Sequence, residues 1–140
     1  LANEKYTSLS GGQRQLAIIA RAICQSAKLL VMDEPAANLD YANHKRLMDV
    51  AVELAGRGYC VVMSTHAPED PASIGSRVLM MRKGRVAAFG TPEEVITPEN
   101  LERVYGIEMD VVTVTDRYGA RRTICLPLGP AAAGKEKENG

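Results

Sequence analysis

The chain has 140 residues, enough for about one domain, and its 46% hydrophobic and 24% charged content excludes a disordered or fibrous class. Its 17 basic and 17 acidic residues cancel, which argues against a broad basic surface for nucleic acid or a polybasic membrane patch. With five Tyr, one Phe and no Trp, it has few platforms on which single-stranded bases stack.

In chain order, residues 1–8 are polar and irregular, and a helix is expected to start at Ser10. Leu16, Ile19, Ala20, Ile23 and Ala27 follow helical spacing and form its apolar stripe. Residues 29–32 (LLVM) are a short apolar run that stops at two carboxylates; such a run reads as a strand buried on both faces, as in parallel sheets. A second helix is predicted over 41–55, with Leu47, Val50, Ala51 and Leu54 inward and Gly56 and Gly58 ending it. Residues 59–64 (YCVVMS) form a second apolar strand that ends at Thr65-His66. This order suits an α/β sheet whose working residues lie beyond the carboxyl ends of its strands. Residues 78–82 and 85–89 flank Lys83-Gly84 and read as a hairpin. Two short helices are each opened by a Thr-Pro pair, Thr91-Pro92 and Thr97-Pro98. Residues 107–115 and 121–126 form a last hairpin around Arg117-Tyr118-Gly119, and residues 130–140 read as a frayed tail. Cys24, Cys60 and Cys125 form no CxxC pair and read as buried small apolar residues in a reducing compartment. No apolar run reaches the ~20 residues of a membrane helix. No signal peptide is visible, and Leu1 in place of Met raises the expectation that the chain begins inside a longer protein.

Four short segments carry chemistry. In Leu9-Ser10-Gly11-Gly12-Gln13, Ser10 and Gln13 have the spacing of a capping box. The same helix tip offers free N–H groups, and two residues without side chains let a phosphate approach the backbone. Two glycines in a first turn disfavour the helix by about 1 kcal/mol each, so a capping role alone does not account for them. In Leu29-Leu30-Val31-Met32-Asp33-Glu34, Asp33 can hold Mg²⁺ and Glu34 can polarise an attacking water; the plainer alternative is a strand ending in solvated acids. His66 ends the second strand, and a lone His is more often structural or at the surface. His44, in the middle of the second helix, is read as such a residue. Asp40 is most simply the N-cap of that helix.

The ordered set of LSGGQ, a hydrophobic strand ending Asp-Glu-Pro, an Asn-Leu-Asp turn and a strand ending Ser-Thr-His resembles the ATP-binding subunit of ABC transporters. The resemblance covers roughly residues 3–128. It implies an α/β, P-loop NTPase-like ABC ATPase domain, partial, with carboxyl-terminal β-hairpins: residues 1–128 as the carboxyl-terminal part of the domain and 129–140 as a flexible tail. By resemblance, residues 9–13 are the signature, 29–33 the Walker B strand, Glu34 the general base, Asp40 the D-loop acid and His66 the switch histidine that senses the γ-phosphate. The family works as a head-to-tail dimer. Ser10, Gly11, Gly12 and Gln13 would then serve the partner subunit's ATP, while Asp33, Glu34 and His66 serve their own, with Mg²⁺ at Asp33. The implied partners are a second ATPase subunit, an integral membrane permease and, indirectly, a substrate-binding protein, with no nucleic acid, at the cytoplasmic face of the membrane. Residues 13–16 (QRQL), 20–22 (ARA), 90–95 (GTPEEV) and 101–106 (LERVYG) are similar to importers of iron–siderophore, haem and cobalamin type, a pattern that oxyanion importers share.

The sequence also departs from the family. It contains no G-x-x-x-x-G-K-[ST], since Gly134-Lys135 is followed by Glu136, and such a loop supplies most β/γ-phosphate contacts. The family's glutamine loop and adenine-stacking aromatic are also missing, and Ala36-Ala37 stands where Thr-Ser or Thr-Ala is common. ATP hydrolysis is therefore expected of a longer parent and little of this stretch alone. A half sheet would leave strand edges and an apolar face uncovered, making the isolated chain marginal or self-associating. Two other readings remain open here: a non-transport ABC ATPase of DNA repair or translation, and a non-catalytic module that donates its signature to an intact partner.

Overall fold

The computed structural model describes residues 10–25 and 27–129; the polar start at 1–8 and the tail from 130 lie outside them. The chain forms two compact units, Leu1–Asp70 and Pro71–Gly140.

In the first unit, Ser10 caps α1 (Gly11–Cys24) through a full capping box with Gln13. Ile19 and Gly12 are the buried residues of α1. Leu16 and Ile23 are half-buried, whereas Ala20 faces solvent. Helix α1 stops at Cys24, which leaves Ala27 outside the predicted stripe. Strand β1 (Leu29–Met32) is followed by α2 (Tyr41–Gly56), capped by Asp40, and by β2 (Cys60–Met63). Leu47, Met48, Ala51 and Leu54 are the buried residues of α2, which packs on β2 and α1. Gly56 remains helical; the chain turns off at Arg57 and at Gly58, whose φ of 85° suits a residue without Cβ.

The two strands pair in parallel, with Leu30 opposite Val61 and Met32 opposite Met63. Burial on both faces is not observed: Leu30 is buried, but Leu29 is 56% and Val31 72% exposed. The reason is the size of the sheet. Parallel sheets bury both faces when helices cover both, and among the described residues this one has two strands. An uncovered apolar face was the outcome expected of a half sheet. Cys24 and Cys60 are exposed and only Cys125 is buried; Cys24 sits at the end of α1 and Cys60 at the start of β2.

The second unit is built from hairpins. Strands β3 (Val78–Arg82) and β4 (Arg85–Gly90) join at Lys83-Gly84, both at positive φ (49° and 73°), the backbone of a type I′ turn. Thr91 and Thr97 cap α4 (Pro92–Val95) and α5 (Pro98–Tyr105), each with Pro in its first turn. Gly106 closes α5 in the left-handed conformation. Strands β5 (Met109–Thr115) and β6 (Arg121–Pro127) form the last hairpin. Val78, Met80, Val95, Ile96, Leu101, Met109 and Cys125 make a core inside this unit. One short helix, α3 (Glu69–Ile74), spans the boundary between the units and was not anticipated.

Candidate functional site

Parallel register places Asp33 and Ser64 side by side, each one residue past the paired Met32 and Met63. The Ser64 hydroxyl donates to the Asp33 carboxylate and accepts from the Glu34 N–H at 2.8 Å. The Ser64 N–H in turn donates to the Met32 carbonyl at 3.0 Å. One side chain just past β2 thus fixes two consecutive residues beyond β1. Glu34 has φ 41°, a conformation that costs a non-glycine residue about 1–2 kcal/mol. Such outliers persist where surrounding bonds over-determine them, and here the Ser64 bond and the Ala37 N–H to Glu34 carbonyl bond at 3.0 Å do so.

His66 Nδ1 lies 3.6 Å from Glu34 Oε1, with both side chains open to solvent. That is within ion-pair range and beyond a direct hydrogen bond. Glu34 and His66 line a cleft of about 450 Å³ together with residues 35–38, His44, Met48, Met63 and Asp70. Three of the predicted site residues, Asp33, Glu34 and His66, are therefore gathered at one sheet end.

The other predicted residues form a second group at the starts of α1 and α2. The Ser10 hydroxyl accepts from the Gln13 N–H at 3.3 Å, and Gln13 Oε1 accepts from the Ser10 N–H at 2.9 Å. Accepting leaves the serine proton for donation elsewhere. Asp40 accepts at both oxygens from Asn43, from its N–H at 2.8 Å and its side-chain amide at 2.7 Å. The Asn43 N–H bond holds the Asp40 carboxyl below its ordinary value. Asn43 then lies against α1: a Cβ at Gly12 would come within 2.5 Å of Asn43 Cγ, whereas one at Gly11 would meet nothing nearer than Leu39 at 3.8 Å. The lack of a side chain at Gly12 thus serves a close approach between two helix starts. Sequence reasoning assigned both glycines to phosphate access and did not see this.

Sequence reasoning also missed a buried network. Among the described residues Asp70 is the buried charged side chain. Its Oδ1 lies 2.7 Å from His44 Nε2, and its Oδ2 accepts from the Thr65 hydroxyl at 2.9 Å. Thr65 Oγ1 also accepts from the Ala67 N–H at 3.1 Å. His44, read as an ordinary mid-helix histidine, is thus tied to the loop that carries His66. The two ends of this tie are 26 residues apart, and no spacing rule marks such a pair.

Comparison with known proteins bears on the family and the fold. The ABC transporter family profile matches residues 1–37. The chain is 32% identical over 133 residues to the ferric enterobactin transport ATP-binding protein FepC of Escherichia coli, covering 94% of this chain and 48% of FepC. It is 36% identical to the hemin import ATP-binding protein HmuV of Rhodococcus jostii (79% of this chain, 38% of that protein). Its structure superposes on that of a metal-chelate type ABC transporter in an inward-facing conformation with a TM-score of 0.87 at 35% identity, covering 93% of this chain and 51% of the other. The chain belongs to the ABC transporter ATP-binding family.

Its fold is accordingly that of ABC ATPase domains, in part: the chain spans less than half the length of FepC and of HmuV. Among the described residues no helix is long and apolar enough to cross a membrane. Nor does any group of three or more His, Cys, Asp or Glu among them form a cage for a metal ion. Mg²⁺ keeps most of its waters and is held by one or two carboxylates together with substrate phosphates, and Asp33, exposed beside Ser64, fits that donor set.

Proposed function

We propose that this chain is the signature-to-switch portion of the ATP-hydrolysing subunit of an ABC importer. The observation that supports this most is the convergence of Asp33, Glu34 and His66 at the ends of β1 and β2, with the Ser64 hydroxyl bonded to the Asp33 carboxylate and to the Glu34 backbone N–H. Glu34 acts as general base: it takes a proton from the water whose oxygen attacks the γ-phosphorus as the bond to the ADP oxygen breaks. His66 donates to the γ-phosphate. Asp33 would hold Mg²⁺, which would neutralise charge on the phosphates. The P-loop that cradles the same nucleotide is not in this sequence and comes from the rest of the subunit.

Ser10, Gly11, Gly12 and Gln13 present the tip of α1 to the ATP of a second subunit, and Asp40 lines the same interface, in a head-to-tail dimer. A membrane permease, fed by a substrate-binding protein, completes the importer, with this subunit peripheral on the cytoplasmic face. The named activities of FepC and HmuV favour an iron complex or haem as cargo, with cobalamin in the same class; a molybdate import protein of Haemophilus influenzae, MolC, at 39% identity, keeps the cargo class broader than iron.

The test is Glu34→Gln in the whole subunit. Hydrolysis should fall by about 10²- to 10⁴-fold, with ATP-dependent dimerisation retained. Hydrolysis within about threefold of the parent would remove Glu34 from the reaction.

A further inference from the structure

We infer that His44 and Asp70 are positioning residues for the loop that carries His66, an inference that rests on reading His66 as the group that meets the γ-phosphate. The side chain of His66 is 75% exposed, so packing does little to hold it. Its loop is also gripped at the residues on either side. Thr65 donates to Asp70 and receives the Ala67 N–H, and Asp70 is held in turn by His44 on α2. Both Asp70 oxygens are engaged, one by an imidazole and one by a hydroxyl.

A buried carboxylate is a costly way to pin a loop, because desolvation must be offset by well-made bonds. An apolar side chain at position 70 would fill the space without that cost, but it could not fix Thr65 through a directional bond. The arrangement therefore supplies direction rather than bulk. Asp70 opens α3 while His44 belongs to α2, so the loop is anchored to two helices. A phosphate-contacting side chain displaced by about 1 Å can cost on the order of a hundredfold in rate, which is where such an anchor acts.

The effect falls on turnover rather than on ground-state nucleotide binding, most of which the P-loop supplies. In the whole subunit, His44→Leu should lower kcat about tenfold with KM for ATP changed by less than about twofold. His44→Gln, which restores a side-chain N–H donor toward Asp70, should recover kcat to within about threefold. Thr65→Val and Thr65→Ser, at an exposed position, should repeat the loss and the recovery.

Amide exchange in the whole subunit gives the readout that does not depend on activity. His44→Leu and Thr65→Val should speed exchange at residues 65–67 by about tenfold or more while leaving the amides of β1 unchanged. The inference is overturned if exchange at 65–67 does not change, if it rises across the whole first unit, or if His44→Gln behaves like His44→Leu. Glu34→Gln, run in parallel, separates the two readings. If it hydrolyses ATP at the parent rate, the proposed reaction fails, and the exchange result still decides whether His44 and Asp70 hold the loop.

Discussion

The two units solve different problems with similar amounts of chain. The second closes on itself: two antiparallel hairpins and two short capped helices enclose a core in which Leu101 is 0% and Val95 1% exposed. Its turns are local, at Lys83-Gly84, Gly106 and Gly119, and its described residues hold no counterpart of the acid–histidine cluster. The first unit carries that cluster on a two-stranded parallel sheet whose Leu29, Val31 and Val62 stay exposed. Parallel strands need a crossover, so their ends bring distant segments to one place. The same topology that gathers Asp33, Glu34, Ser64 and His66 leaves apolar surface that these two strands cannot cover. Stability is concentrated where contacts are local, and chemistry where they are not.

A matched truncation tests that contrast most strongly. Leu101→Ala should destabilise the second unit by about 2–5 kcal/mol, measured by urea unfolding and by amide exchange in β3 to β6. Leu29→Ala, on the open strand face, should cost less than about 1 kcal/mol. Equal costs would show that the face is covered in solution. Next in size, Gly12→Ala should destabilise by about 1–3 kcal/mol through overpacking against Asn43, whereas Gly11→Ala, with room for a Cβ, should stabilise by up to about 1 kcal/mol. A fully stable Gly12→Ala would return Gly12 to a role in phosphate access alone.

The smallest effect is acid sensitivity. The Ala120 N–H, followed by that of Tyr118, holds the Asp116 carboxyl below its ordinary value of 3.8, as the Asn43 N–H does for Asp40. A carboxyl lowered by folding adds stability above its unfolded value and loses it as pH falls through the lower folded value. Protection of the Tyr118, Ala120 and Asn43 amides should therefore persist at about pH 5 and decline only below the ordinary carboxylate range. Loss near pH 5 would mean that these carboxylates do not carry the caps.

Local rules made much of this fold legible. The caps at Ser10, Thr91 and Thr97, the hairpin turns and both parallel strands follow from residues within a few positions of each other. The acids after β1 and the histidine after β2 were legible for the same reason, being marked by where the apolar runs stop. What was not legible depends on partners far along the chain. The positive φ of Glu34 is set by Ser64, the contact at Gly12 by Asn43, and the burial of Asp70 by His44. Burial of β1 on both faces was a rule for complete sheets applied to an incomplete one.

The grip on Thr65 and Ala67 passes over the residue between them. Shape and reactivity at that bend are thereby divided between side chains: Thr65 and Asp70 keep the backbone's path, while the exposed imidazole projects beside Glu34 at the cleft. An exchange at position 66 would change what the bend offers a nucleotide while the bend itself keeps its course.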